Sequence, residues 1–118
     1  MIPLYSTVCT LLLLHEIESA YEKEWEILHL PGKITGFLLM HIPIIAVMFL
    51  GLYWLAAGFP AGNIVSLIVG IAGLFPFTVH KLLVRRKEHF GSLTSNIIII
   101  ASGITGIALA ALSIGRLL

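Results

Sequence analysis

Charged residues are scarce in this chain. They make up 11% of its 118 residues, whereas 58% are hydrophobic and the mean hydropathy is +1.05. A soluble domain of this size could not bury so much apolar surface, so lipid must be the solvent for much of the chain. The sequence also lacks a linker that would isolate a soluble domain, a low-complexity segment and a clear internal repeat. We therefore expect one membrane domain over residues 1–118, with room for four spans at ~20 residues each.

Cysteine is almost absent as well. The single Cys9 excludes an internal disulfide, and its apolar neighbours favour a small buried hydrophobic side chain over a reactive thiol. The N-terminal apolar stretch has no basic region before it and no convincing cleavage site, so we interpret it as a retained helix. The net charge of +1 gives no reason to expect a nucleic-acid partner.

Proline and glycine divide the chain into four predicted helices. We expect them at about residues 3–29, 33–57, 62–86 and 93–117. Pro31-Gly32 ends the first helix, and an uncharged turn over residues 57–62 separates the second from the third. Because short connections make consecutive helices antiparallel neighbours, the pattern predicts an all-α, up-down bundle of four transmembrane helices.

The basic residues predict the orientation of this bundle. Of the seven lysine and arginine residues, one, Arg116, lies at the end of the last predicted helix. The others flank the predicted connections between helices 1 and 2 and between helices 3 and 4, and they are Lys23, Lys33, Lys81, Arg85, Arg86 and Lys87. Positive charge accumulates on the cytoplasmic side of a membrane. We therefore expect both connections in the cytoplasm and both termini outside, in the cell (inner) membrane.

A polar stripe about 100° wide lies on the predicted first helix, after an apolar run that is too short to cross a bilayer alone. Ionisable groups at this depth are costly unless they are partnered. Glu16 and Glu24 fall off the stripe, and we expect them to be solvated or paired with Lys23. The stripe consists of His15, Glu18, Ser19 and Glu22, and Glu26 and His29 extend it.

The later helices each add one polar side chain at the same predicted level. His41 lies eight residues into the second helix, His80 lies near the end of the third, and Asn96 opens the fourth. Imidazole and carboxylate together are the ligands of Zn, Mn and non-haem Fe sites. The sequence thus predicts a divalent metal (Zn, Fe or Mn) bound by His15, Glu18, His41 and His80, with Glu22 as an extra ligand or general base and Asn96 orienting a ligand or the substrate.

These residues favour a metal-dependent enzyme that acts on a membrane lipid or another apolar substrate near the cytoplasmic leaflet. Three alternatives remain open. The first is a proton-coupled transporter that uses Glu18, since the chain is similar in size and span number to the small multidrug exporters. The second is a haem-binding bundle with His41 and His80 (or His15) as axial ligands. The third is a structural membrane protein with a buried polar network. The sequence also leaves a homodimer open.

The same residues resemble a motif of small bacterial membrane proteins. His15, Glu18, Pro31-Gly32, His80 and Asn96 match the pattern of the uncharacterised His-x-x-Glu-Glu (HXXEE) family, in which later His and Asn residues imply an enzyme. Ser19 stands where the second Glu of that motif would be, and Glu22 is the residue that would replace its carboxylate. The stretch from Leu14 to Tyr21, together with the residues that follow it, also resembles a sister family of unknown function.

Overall fold

All regular secondary structure that the computed structural model describes, over residues 1–83 and 90–118, is helical. The predicted all-α class is therefore confirmed for these ranges. Arg85, Arg86 and Lys87, which contribute to the predicted orientation, lie outside them. The elements are α1 (Ile2–Tyr21), α2 (Glu24–Ile27), α3 (Lys33–Ala56), α4 (Ala61–Ala72), α5 (Phe75–Phe77), a π-helical segment (Thr78–Leu83) and α6 (Leu93–Leu117).

Three helical stretches in the described ranges are long and apolar enough to cross a membrane. They are Lys33–Ala56, Ala61–Leu83 and Leu93–Leu117. Their outward faces carry large exposed apolar side chains such as Phe49, Ile68 and Ile104, which is the expected surface for contact with lipid. Helix α1 carries His15, Glu16 and Glu18 and is not in this set.

The first helix ends eight residues before its predicted end. Helix α1 stops at Tyr21, and Lys23 adopts a left-handed conformation with φ 52°. The chain then forms the short α2 in a new direction, and Gly32 (φ 89°) leads into α3. Non-glycine residues rarely adopt positive φ, and no glycine or proline stands at this position. The sequence therefore gave no signal that the helix would break at Lys23.

The third predicted helix is also interrupted. Helix α4 ends at Ala72, three residues before α5 begins, and the chain continues from Thr78 as the π-helical segment. Pro76 cannot donate a backbone hydrogen bond, which disfavours an uninterrupted α-helix here. The hydroxyl of Ser102 on α6 donates to the Gly73 carbonyl oxygen at 2.9 Å and so satisfies a backbone acceptor at the break. By contrast, α3 and α6 begin and end within one residue of their predicted bounds.

Helices α4 and α6 approach each other through glycine. A Cβ atom added to Gly106 would lie 2.6 Å from the Gly70 carbonyl oxygen, and one added to Gly70 would lie 2.7 Å from the Ala110 nitrogen. Both distances are shorter than a van der Waals contact, so the two backbones can pack this closely only without side chains. Small residues serve this purpose in membrane helix pairs.

Helix α1 packs against α6 and α3, and α3 also packs against α4. The Tyr5 hydroxyl donates to the Met48 carbonyl oxygen at 2.8 Å and so links α1 to α3. The apolar core lies on this side of α1, and it consists of Tyr5, Val8, Leu12, Met48, Val65, Val69 and Leu109. This packing holds the polar end of α1 between the other helices.

We predict that Gly106→Ala destabilises the protein and that Gly115→Ala does not. The added methyl group at residue 106 must separate α4 from α6, and overpacking of this kind typically costs about 1–3 kcal/mol. Gly115 lies on the same helix with open space around its Cβ position, so it is the matched control. The measurement is the thermal unfolding midpoint of each variant in detergent. Equal midpoints for the two variants would contradict the close approach of α4 and α6.

Candidate metal centre

Three buried side chains from three separate segments meet at one end of the bundle. His15 comes from α1, Glu24 from the start of α2 and His80 from the π-helical segment, and their exposed fractions are 1%, 6% and 8%. Each offers one ligand atom, and the three ligand atoms all lie within 4.8 Å of one another. This is the group of metal-type ligands that the described residues bring together.

The break after α1 is what brings Glu24 into this group. Glu24 is nine positions after His15 in the sequence. At ~100° per residue, an unbroken helix would place the two side chains on opposite faces. The left-handed Lys23 instead turns the chain, so that the Glu24 carboxylate returns toward the face of α1 that carries His15.

Hydrogen bonding leaves one nitrogen of His15 available. Its Nε2 lies 3.3 Å from the hydroxyl oxygen of Ser19, which is itself fully buried one turn further along α1. Its Nδ1 is buried without a hydrogen-bond partner among the described residues. When Nε2 carries the proton and donates to Ser19, the lone pair of Nδ1 is free to bind a metal ion.

The contact between His80 and Glu24 is short but poorly aligned. His80 Nε2 lies 2.9 Å from Glu24 Oε1, which is within ion-pair distance. Its angle does not meet hydrogen-bond geometry, and within the described part of the chain the nitrogen remains buried without a hydrogen-bond partner. The Glu24 carboxylate is the ion-pair partner of this nitrogen, whereas His15 Nδ1 has no such partner among the described residues. An unpartnered buried nitrogen is uncommon in proteins and calls for an explanation, such as a bound ion.

Phe90 covers the two histidine rings. Its ring stacks on His80 with centroids 3.9 Å apart and lies 5.3 Å from the His15 ring. The His15 and His80 rings are themselves 5.0 Å apart. Phe90 is buried together with Ile27 and Ile99. This apolar cover fixes the orientation of both imidazoles and excludes water from that side.

The surroundings of Glu24 favour its charged form. Burial by itself would raise the pKa of this carboxyl group, but the His80 imidazole, the Ser19 hydroxyl and the nearby His15 outweigh burial. The pKa of Glu24 therefore lies below its ordinary value. A carboxylate that stays ionised in a buried site is suited to bind a cation.

His41, predicted as a ligand of the same site, is instead paired with Glu16. His41 Nδ1 donates to the Phe37 carbonyl oxygen at 2.7 Å, and Nε2 lies 2.7 Å from Glu16 Oε2. Because a carbonyl only accepts, Nδ1 carries a proton, and the contact with Glu16 requires a second proton between the two side chains. Taken together, Glu16 and His41 therefore carry no net charge. The expectation that Glu16 is solvated or paired with Lys23 is wrong.

The other predicted site residues lie around this group. Glu18 is half-buried on α1, and Glu22 is half-buried at the C-terminal end of that helix. Asn96 accepts a hydrogen bond from Lys81 through its side-chain oxygen, and its amide nitrogen donates to the carbonyl oxygens of Gly91 and Ser92. Asn96 thus ties the π-helical segment to the start of α6, beside the layer that contains His80.

Two histidines and one carboxylate form a recognised donor set. A catalytic zinc ion is bound by His₂Glu in some hydrolases, and non-haem Fe(II) is bound by two histidines and one carboxylate. Ligand bonds of about 2.0–2.1 Å in tetrahedral geometry would place the ligand atoms about 3.3 Å apart. An ion would therefore have to draw the three side chains inward from their present separations of up to 4.8 Å.

A cavity of about 400 Å³ adjoins the centre. Glu24, Glu16 and His41 line it, and most of the remaining lining is apolar, including Leu12 and Phe37. The polar residues therefore border a space that is large enough to admit a small molecule.

His15 and His80, both predicted ligands, lie together in the structure, whereas Glu24 and Glu16 were not among the predicted site residues. Helical periodicity placed both glutamates off the polar stripe. Glu24 would indeed lie away from that stripe if α1 continued without a break. The signal that could have found Glu24 is the density of ionisable residues just beyond a helix that is otherwise apolar. In a mostly apolar chain, each such residue needs a partner.

Comparisons with known proteins place the chain in a family without assigning an activity. No curated protein and no solved structure matched it. A family model described as "Family of unknown function (DUF6713)" matches residues 1–116. This match establishes no link to the HXXEE proteins that the polar residues resemble. The chain belongs to the family of unknown function DUF6713.

Proposed function

We propose that this protein binds a divalent metal ion, Zn, Fe or Mn, through His15, Glu24 and His80, and that it is a metal-dependent enzyme acting on a membrane lipid or another apolar substrate. One observation carries the proposal. Three buried residues from separate segments each place a ligand atom within 4.8 Å of the other two, and the Nδ1 of His15 has no hydrogen-bond partner among the described residues. A cation would bind the Glu24 carboxylate and one nitrogen of each imidazole, and it would balance the carboxylate charge.

The donor count favours catalysis over a purely structural role. Structural zinc sites use four protein ligands, whereas catalytic sites use three and keep a position for water or substrate. Glu24 lines the adjoining cavity, so a substrate there would reach the centre. A metal ion in the open site would lower the pKa of a bound water molecule and polarise a carbonyl or phosphoryl oxygen.

We also propose that all four long helical segments cross the inner membrane, with the connections before α3 and before α6 in the cytoplasm. Helix α1 has 20 residues, or about 30 Å at 1.5 Å per residue, which matches the hydrocarbon thickness of a bilayer. Its ionisable residues lower its average apolarity, but His15 and Ser19 are buried inside the bundle and do not face lipid. The metal centre would then lie toward the cytoplasmic leaflet.

We expect protein purified without chelators to hold one divalent metal ion per chain. His15→Ala, His80→Ala and Glu24→Gln should lose it, because each removes one of three ligands. The matched controls are Glu26→Gln, on the exposed face of the same short helix, and His29→Ala, also exposed. The measurement is elemental analysis combined with thermal unfolding of each variant, so that loss of metal is separated from loss of fold.

Two more variants in that series decide between ligand sets. If Glu18→Gln and His41→Ala keep the metal, the three-residue centre stands. If they lose it while Glu24→Gln keeps it, the set expected from the sequence is the correct one. An absence of metal in the unaltered protein, even after loading with Zn²⁺, Fe²⁺ or Mn²⁺, would overturn the proposal.

The enzymatic part of the proposal has its own test. The metal-loaded protein, reconstituted in vesicles made from total lipid extract of the producing cells, should convert one lipid class into a new species detected by mass spectrometry. His80→Ala should be inactive because it lacks a ligand, and Glu26→Gln should be fully active. An unchanged lipid spectrum with all three metals would contradict a lipid-modifying enzyme.

The topology predicts that both termini face the outside. Four spans place the N- and C-termini on the same side of the membrane, whereas three spans place them on opposite sides. Impermeant labelling of an epitope tag before Met1 and of one after Leu118 in intact spheroplasts distinguishes the two arrangements. Both tags should be labelled without permeabilisation, and labelling of only one would show that α1 does not cross.

A further inference from the structure

The cavity beside the metal centre has one polar end and an otherwise apolar wall. Its volume is about 400 Å³, which is within the range of about 300–1,000 Å³ for sites that enclose one small organic molecule. Glu24, Glu16 and His41 provide the polar part, and residues such as Leu28, Phe37 and Met48 provide apolar walls. The space suits a molecule with one polar head and one apolar chain.

The open side of this cavity faces the expected lipid surface. Met40 and Ile44 on α3 and Phe75 on α5 all line the cavity and are also exposed on the outside of the bundle. They belong to two of the stretches that are apolar enough to cross a membrane. A molecule can therefore enter sideways from the bilayer between these two stretches without passing through water.

The charge at the polar end selects the head group. A divalent cation with the Glu24 carboxylate and two neutral imidazoles carries a net charge of +1. The Glu16 and His41 side chains on the same wall are bonded to each other at 2.7 Å, so the ion is the group left to bind a ligand. The polar end is therefore complementary to a single anionic oxygen group, and a carboxylate can occupy the open coordination position.

We propose that the cavity binds a long-chain fatty acid, drawn from the membrane, with its carboxylate on the metal ion and its alkyl chain along the apolar walls. The assignment of a carboxylate head group rests on the proposed metal centre, whereas the binding site for the alkyl chain rests on the cavity alone. A cavity of this volume encloses one alkyl chain but not a complete two-chain phospholipid. The fatty acid is then the substrate or the product of the enzyme.

The test is photolabelling with a fatty acid that carries a diazirine on its alkyl chain. The Zn²⁺-loaded protein is labelled in detergent, and the attachment sites are mapped by mass spectrometry. We expect labels on cavity residues such as Met40, Ile44 and Phe75. A parallel arm uses a two-chain phosphatidylcholine with the same diazirine chain, which should label only the outer faces of the helices.

Two substitutions on α3 form a matched pair. Ile44→Trp fills the opening of the cavity, whereas Ile42→Trp adds the same ring on the same helix away from the cavity lining. Both residues are exposed, at 41% and 63%, so both variants should fold, as thermal unfolding will check. We expect Ile44→Trp to weaken fatty-acid labelling at least about tenfold, equivalent to ~1.4 kcal/mol, and Ile42→Trp to leave it unchanged.

The possible outcomes distinguish the binding site for the alkyl chain from the metal centre. Labelling that Ile44→Trp abolishes, and that chelation or His80→Ala weakens, supports both parts. If the cavity is labelled equally well with and without Zn²⁺, the binding site for the alkyl chain is supported and the placement of the carboxylate on the metal is overturned. If labels spread over outer faces around Phe49 and Ile104, if Ile44→Trp has no effect, or if the phosphatidylcholine labels the cavity equally, the fatty-acid site is overturned.

Discussion

The need to partner buried ionisable groups governs the polar end of this protein. His15, Glu24 and His80 are removed from water in a chain whose other surfaces are mostly apolar. An isolated carboxylate in such surroundings costs several kcal/mol even after relaxation, so it must be neutralised by a charge or surrounded by hydrogen bonds. The same requirement acts on Glu16, which is paired with His41. A cation at the three-residue centre would partner the His15 nitrogen that has no hydrogen bond within the described part of the chain.

Irregular backbone makes this arrangement possible. The left-handed Lys23 turns Glu24 back toward His15, and the π-helical segment carries His80 to the same place. π-helical turns cost hydrogen-bond geometry and are found preferentially at functional sites. Both irregularities are adjacent to the centre, and Asn96 and Lys81 hold the π-helical segment against α6. Local strain and the proposed chemistry therefore coincide in one layer of the bundle.

Close packing on one side of the bundle leaves space on the other. Glycine lets α4 and α6 approach until their backbones touch, and Ser102 bonds across them to the break at Gly73. On the other side, α3 is held to α1 through Tyr5 and Met48, while the cavity lies between α3 and the chain around Pro76. The close α4–α6 pair and the cavity thus lie on different sides of the bundle.

Composition and the positions of proline and glycine are local properties, so they were enough to predict a helical chain that is apolar enough for a membrane. The predicted bounds of α3 and α6 differ from those in the structure by at most one residue for the same reason. The sequence also singled out His15 and His80 as candidate ligands, since an imidazole in an apolar helix is informative without knowledge of its neighbours. The positions of Glu24 beside these histidines and of Glu16 beside His41 depend on the folded chain, because both contacts join separate helical segments. The left-handed Lys23 interrupts the regular 100° progression of side chains around the helix, and helical periodicity cannot register such a break when no glycine or proline marks the position.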